Sequence, residues 1–197
     1  MISSDQIKSL RDATGISVMQ CKKALEEAGG DMDKAIAILK KKSGEIAVKK
    51  ADRTLTAGCI AVYLHANGQM GAMVELQTET DFVAKNEGFK ALAYDIAMHI
   101  VASNPLYKES DSISDEERKK VEELYKGEVD KLDKPADMKS KIMEGKLHSY
   151  FAERTLLLQP FIKNPDITVA QLIEQETQKF GEKIAVGKFS RLSVLES

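Results

Sequence analysis

The side chains with the clearest capacity for chemistry or binding occupy one stretch, Thr80 to Phe89, whose sequence is TDFVAKNEGF. This stretch joins an apolar run at residues 70–78, typical of a β-strand, to a segment whose apolar residues recur at helical spacing. Thr80 and Asp81 therefore stand at a predicted helix start, where side-chain oxygens can accept hydrogen bonds from free backbone N–H groups. We expect the rest of the chain to support this stretch.

Phe82 follows this pair and has two interpretations. In the first, Phe82 is a hydrophobic staple that folds back onto the helix, and Thr80 and Asp81 serve only as caps. In the second, Phe82 projects as an aromatic anchor and Asp81 is a free carboxylate, both held by rigid elements for a partner to meet. The first arrangement is the more common, but the spacing of the residues does not decide between them.

Motifs of catalysis are missing from the rest of the sequence. It contains no GxxxxGK[ST] phosphate loop, no nucleophile elbow and no metal-ligand spacing, and Cys21 and Cys59 form no CxxC pair. His99 lies on a predicted apolar helix face, where a hydrogen-bonded packing role is more common than a catalytic one. We therefore expect no enzymatic activity, no cofactor, no metal site, and two reduced thiols that are mostly buried.

Composition argues against two classes of partner. The 197 residues carry a formal net charge of −2 with acidic and basic residues interleaved, so the chain lacks the basic field that binds phosphate backbones. No apolar stretch approaches the ~20 residues that span a bilayer, and no apolar run behind basic residues opens the chain. We expect a cytoplasmic protein that binds neither nucleic acid nor a membrane directly.

Residues 1–54 predict a three-helix domain and a linker. Three short amphipathic periods follow one another, each with signals for its start or end. Capping boxes open the first two, glycines end them, and an aspartate can cap the third. The residues are Ser3 with Gln6 and Ser17 with Gln20 for the boxes, Gly15 and Gly29–Gly30 for the ends, and Asp31 for the last cap.

Residues 55–197 predict an α+β core. Two strands, near residues 59–64 and 70–76, are expected to pair through a tight two-residue turn at Asn67–Gly68. A last strand between Lys183 and Leu195, with Gly187 as a candidate bulge, completes a three-stranded antiparallel sheet with helices on one face. The absence of repeated strand-helix-strand units favours α+β over α/β.

A charged helical hairpin is predicted within this core, at about residues 114–154. Ser114 with Glu117 forms a capping box, Val121, Leu124 and Tyr125 begin an apolar seam, and Lys134–Pro135 turns the chain. After Arg154 the chain is predicted to be extended through residues 156–160 before a final helix that Gly181 ends. Mostly polar outer faces are typical of a coiled-coil-like arm.

Several segments, in order, resemble one known family. These are LRDATGISVMQCKKALEEAGGDMDKAIAILKKKSG, VELQTETDFVAKNEGF, AMHIVASNP, EGK and LLLQPFIKNPDITVAQLI. They are similar to segments of the bacterial translation elongation factor Ts, the nucleotide exchange factor of the GTPase elongation factor Tu. The resemblance covers most of the chain and also supports a protruding helical pair near residues 114–154.

The resemblance implies a fold, a partner and a site. Residues 1–54 would form a ubiquitin-associated-like domain that docks on the nucleotide-binding domain of elongation factor Tu. Phe82 would wedge between helices of that partner and Asp81 would help to disrupt its magnesium shell, with Thr80 and Val83 framing them. The alternative is a module that binds ubiquitin-like proteins or nascent chains and has no exchange activity.

One departure from the commonest family pattern concerns the core. Long members carry two related core halves, whereas this chain passes from TDFVAKNEGF almost directly into AMHIVASNP. It is similar to the short form of the family, and this resemblance implies a homodimer that acts on two GTPases.

Overall fold

A computed structural model describes residues 2–194 and has the predicted α+β class, with a three-stranded antiparallel sheet. The helices are α1 (Ser4–Thr14), α2 (Val18–Glu27), α3 (Met32–Lys49), α4 (Asp81–Ala84), α5 (Glu87–Ser103), α6 (Asp115–Asp130), α7 (Ala136–Ala152) and α8 (Val169–Phe180). The strands are β1 (Ala57–Leu64), β2 (Met70–Thr78), β3 (Pro160–Phe161), β4 (Asn164–Thr168) and β5 (Ile184–Ser193). Among residues 2–194, no helix combines the length and apolar character that a membrane span requires.

The chain divides into two compact units. The first contains the N-terminal residues through Ala61 together with Val74–Tyr94 and Ala170–Phe189. The second contains Val62–Met73, Asp95–Val169 and the C-terminal residues from Ser190. The domain boundary after residue 54 stays a prediction.

Helices α1, α2 and α3 begin and end largely as their sequence predicts. Ser3 and Gln6 form the full capping box of α1, whereas Ser17 accepts from the Gln20 N–H and the Gln20 side-chain oxygen accepts from Gln178 instead. Gly15 ends α1 at φ 68°, in the left-handed region that favours glycine. The three helices close over a common apolar cluster: Leu10, Ile16, Cys21, Ala24, Leu25, Ala35 and Leu39.

The central sheet has the order β1-β2-β5, so the last strand returns beside the hairpin as predicted. Along β2 buried residues alternate with more exposed ones, as a half-buried strand requires. The predicted two-residue turn is wrong. The His65 N–H donates to the Met70 carbonyl and the Gly68 N–H to the His65 carbonyl, so the loop holds four residues, 66–69. Gly68 still takes the positive φ, at 68°.

Helix α5 contains the buried histidine that the sequence predicts to be a packing residue. His99 has no exposed surface, and its Nδ1 accepts the Ile162 N–H at 3.2 Å. The other ring nitrogen, Nε2, therefore carries the proton and donates to Gln159 Oε1 at 3.0 Å. Gln159 in turn donates to the Ser103 and Glu153 carbonyls. Every hydrogen-bonding atom of the imidazole is satisfied, as a structural role requires.

The predicted helical hairpin is formed by α6 and α7, and the Ser114–Glu117 capping box opens it. Its seam buries Val121 and Phe151, but Leu124 is 68% exposed, so the prediction that Leu124 lines the seam is wrong. Leu124 lies three residues from Val121, a spacing that placed both on one predicted helix face. In the structure, partly buried tyrosines fill the seam instead: Tyr107, Tyr125 and Tyr150.

The segment after the hairpin also differs from prediction. Leu156–Leu158 form a short 3-10 turn rather than an extended strand, with Leu156 fully buried. A small antiparallel pair, β3 with β4, follows and leads into α8. At the C-terminus β5 begins at Ile184, and the predicted last residue of that strand, Leu195, lies outside the described residues. A Cβ atom at position 187 would clash with the Glu75 carboxylate, so the close approach of that side chain favours glycine there.

We predict that His99 makes stability depend on pH. Burial lowers the pKa of His99, and the hydrogen bond to Gln159 opposes this effect only in part. The unfolded imidazole binds a proton near pH ~6.5 while the folded one resists it, so stability is lost as pH falls from there. Urea unfolding should show the free energy of unfolding falling between about pH 7 and pH 5.5, by up to about 1.4 kcal/mol per pH unit.

The matched variants are His99→Gln and His148→Gln, the second at an exposed histidine of α7. His99→Gln should be less stable at neutral pH and should lose the pH slope in this window, whereas His148→Gln should keep it. A slope that survives His99→Gln would contradict the assignment.

Candidate functional site

The predicted site residues are brought together on α4, a single helical turn between β2 and α5. The Ala84 N–H donates to the Thr80 carbonyl and the Lys85 N–H to the Asp81 carbonyl, which closes the turn. One side of the turn is apolar, since Val83 and Ala84 retain only 4% and 6% of their exposed surface. The turn thus rests on the core through Val83 and presents its other side outward. We call residues Thr80–Ala84 the α4 turn.

Phe82 projects from the outward side. Its side chain is 85% exposed, which rules out the staple arrangement in which the ring would fold back onto the helix. Burying a phenylalanine ring contributes about 1.5–3 kcal/mol, and here that burial is left unused. Phe82 therefore has the geometry of an aromatic anchor available to a partner.

Asp81 lies beside Phe82 and is exposed to a similar degree, at 77% of its side-chain surface. Its carboxylate meets Lys85 Nζ at 3.3 Å, one helical turn further on, rather than capping the helix. Exposed ion pairs of this kind contribute about 0–1 kcal/mol, so Asp81 can change partners at little cost. Of the two interpretations that the sequence leaves open for Asp81, the capping role is therefore wrong.

Thr80 occupies the N-cap position, yet its hydroxyl makes no capping bond. Instead Thr80 Oγ1 donates to Glu182 Oε1 at 2.6 Å, and the Thr80 N–H donates to Glu182 Oε2 at 3.0 Å. The same Oε2 accepts from the hydroxyl of Thr78, which is fully buried, at 2.9 Å. One carboxylate therefore holds the entry to the α4 turn by three hydrogen bonds, in place of the predicted local cap.

Glu79, between the two threonines, is a second carboxylate with fixed partners. Its oxygens accept from the Lys183 N–H at 2.6 Å and from Arg53 Nη1 at 3.0 Å, and its backbone carbonyl accepts from the Thr56 hydroxyl at 2.6 Å. Burial raises the pKa of Glu79, but the Lys183 N–H and the Arg53 guanidinium outweigh it, and the net pKa lies below the ordinary value. Glu79 is thus held ionised at neutral pH.

Asn86 separates the α4 turn from α5. Its backbone N–H donates to the Val83 carbonyl, and its side-chain Oδ1 accepts from the Gly88 N–H at 2.8 Å, as a cap for the following helix does. Phe89 behind it is fully buried and meets Phe180 edge-to-face at a ring separation of 6.2 Å. The exit from the turn is therefore as firmly held as its entry.

Sequence reasoning did not find the carboxylates that hold the site. Glu182 lies 102 residues from Thr80 and Glu79 lies 104 residues from Lys183, so no local spacing relates them. A partial signal exists: Glu182 and Lys183 follow Gly181, whose positive φ of 74° places a tight bend between α8 and β5. A bend before a strand that pairs with β2 brings these side chains near the end of β2.

The chemistry open to this arrangement is recognition. A projecting aromatic ring beside an exposed carboxylate, both on a turn with a buried underside, has the features of a binding hot spot. Within residues 2–194 there is no group of three or more histidine, cysteine, aspartate or glutamate side chains placed to hold a metal ion. Both cysteines are free, Cys21 buried and Cys59 partly buried.

Comparison with known proteins gives a family. The family model described as "Elongation factor TS" matches residues 5–196. Elongation factor Ts of Thermodesulfovibrio yellowstonii is 48% identical over 193 residues, which cover 98% of this chain and 96% of that protein. Elongation factor Ts of Carboxydothermus hydrogenoformans is 45% identical over 196 residues, covering 100% of this chain and 90% of that protein. The chain therefore belongs to the elongation factor Ts family of translation elongation factors.

Proposed function

We propose that this protein is a guanine-nucleotide exchange factor that promotes GDP release from elongation factor Tu during protein synthesis in the cytoplasm. The observation that carries the proposal is the 85% exposure of Phe82 on a turn whose entry, exit and underside are all held. Family membership identifies the partner, and the site geometry supplies a means of acting on it.

Exchange of this kind requires differential binding and no covalent step. If the factor binds nucleotide-free elongation factor Tu more tightly than the GDP-bound form, linkage requires that it lowers the affinity for GDP by the same factor. A coupling of 1–3 kcal/mol is typical of such linked sites and corresponds to about 5–150-fold in affinity. The chain itself then needs neither a nucleotide site nor a catalytic residue.

Phe82 is assigned the role of wedge. A ring that is exposed in the free factor gains its whole burial energy on insertion between partner helices, so the gain is available to offset distortion of the nucleotide site. Val83 fixes the turn beneath the ring, and Thr80 fixes its entry. A fixed turn reduces the loss of conformational freedom on binding.

We assign Asp81 the role of disturbing the magnesium site of the partner. Its carboxylate is 77% exposed and is engaged only by an exposed lysine, so it can approach a cation or compete for the groups that coordinate it. Mg²⁺ prefers oxygen ligands and helps to hold the phosphates of a bound nucleotide. Disturbing that coordination weakens GDP binding, in addition to the strain imposed by Phe82.

We further propose that the factor acts as a homodimer formed through the exposed face of the sheet. Val62 and Leu64 on β1 are 60% and 65% exposed, and Leu192 on β5 is 76% exposed. Together with Met73 they line a shallow apolar cavity of about 440 Å³, and no charged residue contributes to its lining. A contiguous uncharged apolar face on strands is typical of a surface that a second protein covers.

The wedge role of Phe82 predicts that Phe82→Ala weakens the complex with elongation factor Tu by about 2 kcal/mol or more, as truncation of hot-spot residues does. GDP release should slow in parallel, while the melting temperature of the free factor should hardly change because the ring is exposed. Labelled-GDP release and calorimetry measure both. Leu124→Ala, at another exposed apolar side chain, is the control and should leave release unchanged.

The magnesium role of Asp81 predicts a different pattern. Asp81→Asn keeps the volume of the side chain, so the fold should survive. Because it removes the charge, GDP release should slow at millimolar concentrations of magnesium. The defect should shrink when magnesium is chelated beforehand, because the step that Asp81 assists has then been bypassed. A defect of equal size with and without chelator would sink this role while leaving the wedge intact.

The dimer proposal predicts that light scattering gives a dimer with and without reductant, because Cys21 is buried and Cys59 is partly buried. A stable association needs roughly 1,000 Å² of interface or more, which the sheet face must supply. The double variant Val62→Glu and Leu192→Glu should be a folded monomer, whereas Leu124→Glu on α6 should remain a dimer. A wild-type monomer, or a dimer lost on reduction, would count against the proposal.

A further inference from the structure

The bend that follows α8 contacts both the candidate site and the segment that leaves α3. We call residues Gly181–Lys183 the coupling turn. Glu182 binds Thr78 and Thr80 at the entry to the α4 turn. Lys183 Nζ donates to the Ala51 and Arg53 carbonyls, and the Gly181 carbonyl accepts from Lys50 Nζ at 2.7 Å. Three consecutive residues therefore touch two segments that are distant in sequence.

We propose that Glu182 is a positioning residue for the exchange reaction. Through Thr78 and Thr80 it fixes the α4 turn. Its neighbours in the coupling turn join the α4 turn to the segment after α3. This inference rests on the proposed function and deepens it. Glu182 acts through Phe82 and Asp81, and it is not itself assigned a contact with the partner.

The first argument is that the α4 turn cannot hold itself. An isolated single turn is unstable because nucleation fixes several residues for one hydrogen bond. Its outward side chains add little, since Phe82 is exposed and Asp81 forms only an exposed ion pair with Lys85. Val83 and Ala84 anchor the underside but leave the entry, where the backbone passes from strand to helix, without a local cap. Glu182 supplies the missing bonds at that point.

The second argument is the nature of those bonds. A carboxylate acceptor favours short, strong hydrogen bonds, and the Thr80 hydroxyl bond of 2.6 Å is of this kind, whereas the other two are 2.9 and 3.0 Å long. Thr80 is held by both its backbone N–H and its hydroxyl, so its position and its side-chain rotamer are fixed together. Phe82 is two residues further along the same turn.

The third argument is the attachment on the other side. Arg53 binds Glu79, which also accepts the Lys183 N–H, so this ion pair joins the segment after α3 to the end of β2 and to the coupling turn at once. The Glu79 side chain is only 17% exposed, whereas the Arg53 side chain is 52% exposed, so the carboxylate is largely covered while the guanidinium remains in contact with solvent. The segment after α3 is thus tied to the same three residues as the α4 turn.

The test begins with the free protein, by hydrogen exchange of the amides in residues 79–86. Glu182→Ala should speed their exchange at least about tenfold, while amides of α1–α3 and of α6 keep their protection. Thr80→Val, which removes only the hydroxyl, should show a smaller increase, and Thr80→Ser should restore the wild-type rate. Glu128→Ala removes one negative charge from an exposed ion pair on α6 and is the matched control.

The second measurement is GDP release from elongation factor Tu, in a double-mutant cycle with Phe82→Ala. Glu182→Ala should lower the second-order rate of release at least about tenfold in the wild-type background. In the Phe82→Ala background the fold-loss should be clearly smaller, because only Asp81 is then left for Glu182 to position. Circular dichroism at the assay temperature confirms that each variant is folded.

The outcomes separate the two proposals. Wild-type protein that does not accelerate GDP release overturns the proposed function, whatever the hydrogen exchange shows. Unchanged amide exchange in Glu182→Ala overturns the positioning role, even if release is slowed. Equal fold-losses from Glu182→Ala in both backgrounds would also overturn it, since Glu182 would then act by a route independent of Phe82.

Discussion

The hydrogen bonds that the Glu182 carboxylate accepts from Thr78 and Thr80 are the constraint on which the candidate site depends. A phenylalanine that is exposed in the free protein cannot be held by its own burial. Its position must come from the backbone that carries it, and that backbone is a single helical turn without a local cap. The hydrogen bonds from Thr78 and Thr80 to Glu182 replace the local cap, and they also fix the orientation of the turn.

The use of tertiary hydrogen bonds in place of a local cap explains where prediction from sequence succeeded and where it failed. Ser3 and Ser114 cap their helices through partners three residues away, so the pattern of residue types contains the whole interaction. Thr80 is also a hydroxyl residue at the N-cap position of its helix, but its hydroxyl donates to a carboxylate 102 residues away and accepts no capping bond from a local amide. The pattern predicts a helix start in both cases, but it identifies the hydrogen-bond partner of the hydroxyl only for the two serines.

The same division holds for the larger elements. The three-stranded sheet could be predicted because apolar runs indicate each of its strands, but nothing in the sequence says which strand of the hairpin the last strand joins. The hairpin loop was predicted too short, because Asn67–Gly68 marks a bend without stating how many residues flank it. Leu124 was assigned to the seam of α6 and α7 on spacing alone, whereas tyrosine and phenylalanine rings fill that space. The spacing of apolar residues does not show which side chains will fill the space between two helices.

Two of the exposed apolar features, Phe82 and the sheet face, differ in their surroundings. Phe82 is a single ring flanked by the charges of Asp81 and Lys85, and such a mixture of one aromatic anchor with a polar rim suits a partner that must bind and leave. Val62 and Leu192 belong to a contiguous face without charged residues, closer in character to a subunit interface that stays closed. An anchor for transient binding gains from a rigid mount, since each round of association otherwise repeats the entropy loss of ordering it. The carboxylate of Glu182 meets that requirement at the α4 turn, whereas the sheet face that we propose a second copy covers permanently has no such need.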